Sequence, residues 1–130
     1  MAGNRVVARY RDGRTVKGTT ADFVPTRDAF HVHSEAGTTI VVRLADLKAL
    51  FFVKDLTGNP GYQEVQEFEP GKPVPGRKIR VVFGDGELLV GTTQGYQPGR
   101  SGFFVVPADS QANHERCFVL TAATREVELL

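Results

Sequence analysis

Residues 85–93 read DGELLVGTT, and residues 12–20, 73 positions earlier, read DGRTVKGTT. The same offset carries Phe23 onto Tyr96, Pro25 onto Pro98, Arg27 onto Arg100, Phe30 onto Phe103 and Val32 onto Val105. Beyond that the second copy is longer by four residues, so Val42 falls on Val119 and Leu50 on Val127. Repetition on this scale sets the architecture before any single motif does. It divides the chain into a first repeat over 1–53, a joining segment over 54–76 and a second repeat over 77–130.

The repeat also decides how to read GTTQGYQPGR, residues 91–100, whose glycines suggest a phosphate loop. Such a loop leads into a helix whose N-terminus binds the anion. Here the run closes one strand and precedes another. Its twin, GTTADFVPTR at 18–27, keeps the Gly, the Thr-Thr pair, an aromatic, the Pro and the Arg, but lacks counterparts of Gly95 and Gly99. What the twins share reads as architecture.

Strands dominate both copies. VVARYR at 6–11 alternates and then meets Asp12-Gly13, a tight hairpin turn. A second strand is expected over Val16 to Phe23, with Gly18 at a bend or a close backbone approach. Phe30 to Ser34, Thr38 to Leu44 and Leu47 to Val53 complete repeat one. Repeat two follows with Lys78 to Phe83, Leu88 to Tyr96, Gly102 to Val106, Arg116 to Ala122 and Thr124 to Leu130. No segment carries a sustained helical period. The joining segment ends in PGKPVPG, residues 70–76, which excludes helix or central strand there. Gln63 to Phe68 is long enough for a short strand or a helical turn. Short, bent strands of this kind predict a small barrel, because closure removes exposed edges. The expected fold is all-β: two tandem five-stranded barrels joined by a Pro/Gly-rich linker.

The order strand, DGR, V-x-G, loop, F-x-V, strand and a closing LKALFF resembles the Sm-like or SH3-like small barrels in both copies. Sm proteins bind uridine through an Asp and an Asn in the loop after the second strand. At the matching positions this chain has Val24 and Asp28, then Gln97 and Ser101, and the second Sm motif's Arg-Gly is missing near Leu44 to Leu47. The chain as a whole looks like bacterial two-repeat proteins of undefined activity that carry a GTTQGY-type segment.

Net charge is +1, so no whole-protein field favours nucleic acid or an anionic membrane. The single cysteine, Cys117, excludes an internal disulfide and fits a reducing, cytoplasmic setting. The N-terminus lacks the apolar core of a signal peptide, and the longest apolar run, ALFFV at 49–53, is far short of a membrane span. Cys117 falls on the core side of its strand, and no nucleophile–base, paired-carboxylate or metal spacing supports an enzyme or calls for a cofactor. His31 and His33 share one side of a strand, but lack an obvious third ligand.

Comparing the copies separates the two faces of the strands. One face is apolar in both. On the other, Arg9 becomes Val82, Thr15 becomes Leu88, Lys17 becomes Val90, His31 becomes Phe104 and His33 becomes Val106. A solvated apolar face of that size is sticky. It is therefore expected to be covered by repeat one, the joining segment, another copy or a protein partner. Phe51, where repeat two has Glu128, is the reciprocal contact.

Four side chains are candidates for ligand or partner binding. Arg27 and Arg100 share the pattern aromatic-x-Pro-x-Arg-x-x-Phe and could form paired carboxylate contacts. Asn113 and Arg116 lie on or beside the insertion PADSQANHE, residues 107–115, specific to repeat two. Arg5, Arg9, Arg11 and Lys17, with Arg14, form a basic patch. Arg5 and Arg9 also match the Arg-x-x-x-Arg that opens the PilZ cyclic-dinucleotide site, without its accompanying motif. The expected function is a non-catalytic interaction module that binds a protein partner or self-associates through the apolar face of repeat two. The alternative is an Sm-like RNA- or nucleotide-binding protein using the basic face and the Arg27 and Arg100 loops.

Overall fold

The computed structural model describes residues 3–56, 62, 64–68, 71, 76–97, 99–109 and 111–130. Repeat one contributes β1 (Asn4–Tyr10), β2 (Thr15–Thr20), β3 (Ala29–His33), β4 (Thr39–Arg43) and β5 (Leu47–Val53). Repeat two contributes β6 (Arg77–Phe83), β7 (Leu88–Thr93), β8 (Gly102–Pro107), β9 (His114–Leu120) and β10 (Thr124–Leu129). Strand starts obey the repeat: Asn4 corresponds to Arg77, Thr15 to Leu88 and Ala29 to Gly102. After the four-residue insertion, single 3₁₀ turns at Leu44–Asp46 and Thr121–Ala123 also correspond. Among the described residues no helix is long and apolar enough to cross a membrane.

The all-β expectation stands, but the arrangement differs from two separate closed barrels on a linker. All ten strands form one antiparallel sheet, in the order β10-β6-β7-β8-β9-β5-β1-β2-β3-β4, and it does not close. The halves meet edge to edge. β5 pairs with β9 in the register Ala49↔Val119, Leu50↔Phe118, Phe51↔Cys117 and Phe52↔Arg116. Composition explains this joint. ALFFV in β5 and CFVL in β9 are apolar at consecutive positions, as a strand buried on both faces must be. Leu50, Phe52, Phe118 and Leu120 enter the core of repeat one, while Ala49, Cys117 and Val119 enter that of repeat two. Each half therefore completes the other's core.

A glycine turn and a glycine close approach shape each half. Gly13 and Gly86 take positive φ (94° and 92°) in the β1–β2 and β6–β7 hairpins, where a side chain would be strained. Gly18 and Gly91 serve a different purpose: a Cβ built on either would lie 2.2 Å from the His33 carbonyl oxygen or 2.0 Å from that of Val106. β2 and β7 end at Thr20 and Thr93, short of the expected Phe23 and Tyr96. Both aromatics instead fold back onto the cores. The Phe23 ring lies 5.1 Å from that of Phe30, and Tyr96 4.7 Å from Phe103. Residues 64–68 form neither strand nor helix, and Gln63 lies outside the described residues.

Candidate functional site

A cleft of about 720 Å³ separates the two halves on one face of the sheet. The β1–β2 hairpin forms one wall with Val7, Arg9, Thr15 and Lys17; the β6–β7 hairpin faces it with Phe83, Asp85, Glu87 and Leu88. Phe51 and Val53 of β5 line it between them, and His114 with residues of the joining segment borders it. Ions tie the β6–β7 hairpin to β1 and β5. Lys48, almost buried, donates from Nζ to Asp85 Oδ2 at 2.7 Å and to Glu87 Oε1 at 2.6 Å. Its ammonium also lies 4.7 Å from the centre of the Phe83 ring. Arg9 reaches Glu87 Oε2 at 3.4 Å and covers the Phe51 ring at 4.9 Å. The Lys48 hydrogen bond holds the Asp85 carboxyl below its ordinary range.

The insertion specific to repeat two fastens the joining segment. Asp109 accepts hydrogen bonds from the Tyr62 hydroxyl, from Val65 N at 2.9 Å and from Gln111 N at 2.8 Å. Those bonds hold the Asp109 carboxyl low and push the Tyr62 phenol up to about 12. Gln66 Oε1 accepts from Val90 N at 2.7 Å, which places this segment over β7. Its amide nitrogen donates to Glu64 Oε2 at 3.0 Å.

Behind Glu64 sits His114. Nδ1 lies 3.6 Å from Glu64 Oε1, too long for a hydrogen bond, and Nε2 is buried without a partner among the described residues. The Phe51 ring meets the imidazole edge-on at 5.0 Å. Burial, with the charges of Arg9 and Lys54 acting in the same direction, holds His114 down at about 4. Below pH 6.5 the unfolded chain takes up a proton at this residue that the folded chain refuses until about pH 4. Stability is therefore expected to fall as pH drops through that window, by about 2 kcal/mol at pH 5. Glu64, raised chiefly by burial, acts in the opposite sense, since its early protonation favours the folded state as pH falls. The lowered carboxylates Asp22, Asp85 and Asp109 weaken the fold only as pH falls below the ordinary carboxylate range. Urea denaturation at pH 7.5 and pH 5 checks this: His114→Phe should flatten the difference, and an equal slope in both proteins would refute the assignment.

One comparison with known proteins is informative here. Residues 2–130 match the model of a family described as "Family of unknown function (DUF6982)". The chain belongs to DUF6982. No curated protein and no solved structure matches it. The DUF6982 match spans both repeats and the segment between them.

In this DUF6982 chain the side chains singled out by sequence do not form one site. Arg100 serves its own loop: Nε donates to Gln97 Oε1 at 3.0 Å, and its carbonyl accepts from Thr121 Oγ1 at 2.9 Å. The twin loop is closed similarly, Arg27 N donating to Val24 O as Arg100 N does to Gln97 O, and the Arg27 residue is exposed. Pro98 lies outside the described residues. Asn113 lines the cleft and donates to Asp55 O at 2.9 Å. Arg116 lies over Phe52 and Phe104, at 4.3 and 4.8 Å from the ring centres.

The second face of repeat two is covered in part. Val90 is buried, and Phe104 packs against the core of repeat one, 5.0 Å from the Phe118 ring. Val82 is half-buried, whereas Leu88 and Val106 remain 38% and 50% exposed. The basic patch is divided: Arg9 and Lys17 line the cleft, while Arg5 and Arg11 are exposed elsewhere. His31 Nδ1 lies 2.6 Å from Asp22 Oδ2 and His33 Nδ1 lies 3.0 Å from Thr39 Oγ1. Cys117 is fully buried, which pushes its thiol far above the ordinary range.

Lys48, Glu64, Glu87, Asp109 and His114 were not among the candidate binding residues read from sequence. Their long-range partners lie 37 and more positions away, as with Lys48–Asp85 and Val65–Asp109. The available signal was dissimilarity between the copies: Glu87 stands where repeat one has Arg14, and His114 where it has Gly37.

Proposed function

We propose that this chain is a non-enzymatic binding module that takes a segment of a protein partner in the cleft between its halves. The cleft itself carries the proposal. Its volume falls in the range of ligand pockets, and its apolar surface from Val7, Phe51, Val53 and Leu88 is flanked by Arg9 and Lys48, both paired with carboxylates of repeat two. A site whose lining cations, Lys17 apart, are matched internally offers less to a phosphate backbone and more to apolar side chains. The exposed Leu88 at its rim suits the same class of guest.

Peptides selected against the folded protein provide the test. Bound peptides are expected to shift the backbone amides of Val7, Phe51 and Leu88, and to lose affinity at least tenfold for Leu88→Glu while retaining it for Arg100→Glu. Salt-dependent binding of single-stranded RNA, abolished by Arg27→Glu and unaffected at Leu88, would replace this reading with the nucleic-acid one.

A further inference from the structure

The duplication implies a second joint that the chain leaves open. β9 is the fourth strand of repeat two and β5 the fifth strand of repeat one, and they pair. Their counterparts, β4 and β10, stand at the two ends of the sheet, and among the described residues neither carries a strand on its outer edge. The correspondence is position by position. Thr39 matches Arg116, Val41 matches Phe118, and Val42 matches Val119; Ala49 matches Glu126, Leu50 matches Val127, and Phe51 matches Glu128.

Occupied and open edges have different surfaces. Phe118, opposite Leu50 in the joint, is buried; its counterpart Val41 is 56% exposed. Ala49 is fully buried in the joint, whereas Glu126 lies in solvent and receives Arg80 Nη2 at 3.4 Å.

We propose that the outer edge of β4 is a docking site for an extended, antiparallel strand with the pattern of β5, apolar on both faces, supplied by a partner protein. Glu126 and Glu128 exclude β10 of a second copy from that edge. Transposing the register of the β5–β9 joint puts Val127 opposite Val41, a good match, but Glu126 opposite Val42 and Glu128 opposite Ile40. A carboxylate would then occupy the place where Ala49 is fully buried, and its desolvation opposes pairing. Charged residues commonly protect sheet edges in this way, and an edge with an exposed valine at its centre, its one charge at the far end in Arg43, is where a guest strand adds. The guest needs a small apolar residue opposite Val42 and a larger one opposite Val41, the order in which β5 presents Ala49 and Leu50 to β9.

The test converts the guarded strand into a guest. Glu126→Ala with Glu128→Phe gives β10 the residues of β5 at those positions. In light scattering the native chain is expected to stay monomeric and the double variant to associate with rising concentration. Adding Val41→Lys should restore the monomer, whereas adding Leu88→Glu should not, which separates this edge from the cleft. A double variant that keeps the native circular dichroism and stays monomeric overturns the proposal. So does association indifferent to Val41→Lys, or self-association of the native chain that Val41→Lys abolishes. Should the double variant fail to fold, a peptide of residues 46–54, DLKALFFVK, is titrated into the native chain. Shifts at the amides of Thr39, Val41 and Arg43 support the edge; unshifted amides there overturn it.

Discussion

Gly91→Ala is expected to cost about 3 kcal/mol and to lower the melting temperature by roughly 10 °C. The added methyl would lie 2.0 Å from the carbonyl oxygen of Val106 and 2.8 Å from Val105 Cγ1. A flexible side chain could rotate away, but a backbone oxygen of the neighbouring strand cannot. β7 and β8 pair only through Gly91↔Pro107 and Thr92↔Val106, so separating them there removes their whole ladder. The twin Gly18→Ala meets the His33 carbonyl oxygen at 2.2 Å and should cost a similar amount. Gly95→Ala is the control, because nothing lies within 4 Å of its added Cβ; a change within about 0.5 kcal/mol is expected. Urea midpoints of the three variants decide the matter. Equal midpoints for Gly91→Ala and the native chain would show that the strands can yield.

Much of this fold was legible because its determinants are local and occur twice. The Asp-Gly turns, the paired Gly18 and Gly91 and the succession of strands along each half all follow from short-range pattern. The joint was harder to read. ALFFV in β5 and CFVL in β9 announced burial on both faces, but nothing in either run names its partner 70 or 68 positions away, as Ala49↔Val119 and Leu50↔Phe118 prove to be. Separate barrels and a shared sheet satisfy the same alternation. They differ only in whether those apolar second faces turn inward or toward the other repeat.

The cleft was hidden for a related reason. Arg27 and Arg100 drew attention because they recur, yet their loops close the same way in both halves, Arg27 N to Val24 O and Arg100 N to Gln97 O. Recurrence marked architecture. The cleft is built largely where the twins disagree: Lys48 against Arg125, Phe51 against Glu128, Glu87 against Arg14 and His114 against Gly37. In a duplicated chain, shared residues repeat the scaffold, and divergent ones fit the halves to each other and to a guest.

Phe104→Asp should be the most damaging of the single substitutions, with an expected loss above about 4 kcal/mol. Its ring lies 5.0 Å from Phe118, 6.2 Å from Phe52 and 6.4 Å from Phe23, which gathers both repeats around one aromatic cluster. Aspartate removes that packing and brings a carboxylate into the cluster. Arg116, 4.8 Å from the ring centre, can approach the new charge and limit the damage, but it cannot replace the lost contacts. Two residues along the same face of β8, Val106 is 50% exposed, so Val106→Asp should change stability by less than about 0.5 kcal/mol. The pair isolates one variable, since strand, face and substitution are shared and only the cover differs. Denaturation of both variants, with masses in solution measured alongside, reads it out. If both unfold at the native midpoint, repeat one does not hold Phe104. If Phe104→Asp alone collapses, the face that looked sticky in the sequence is sealed from within at Phe104 and open at Val106.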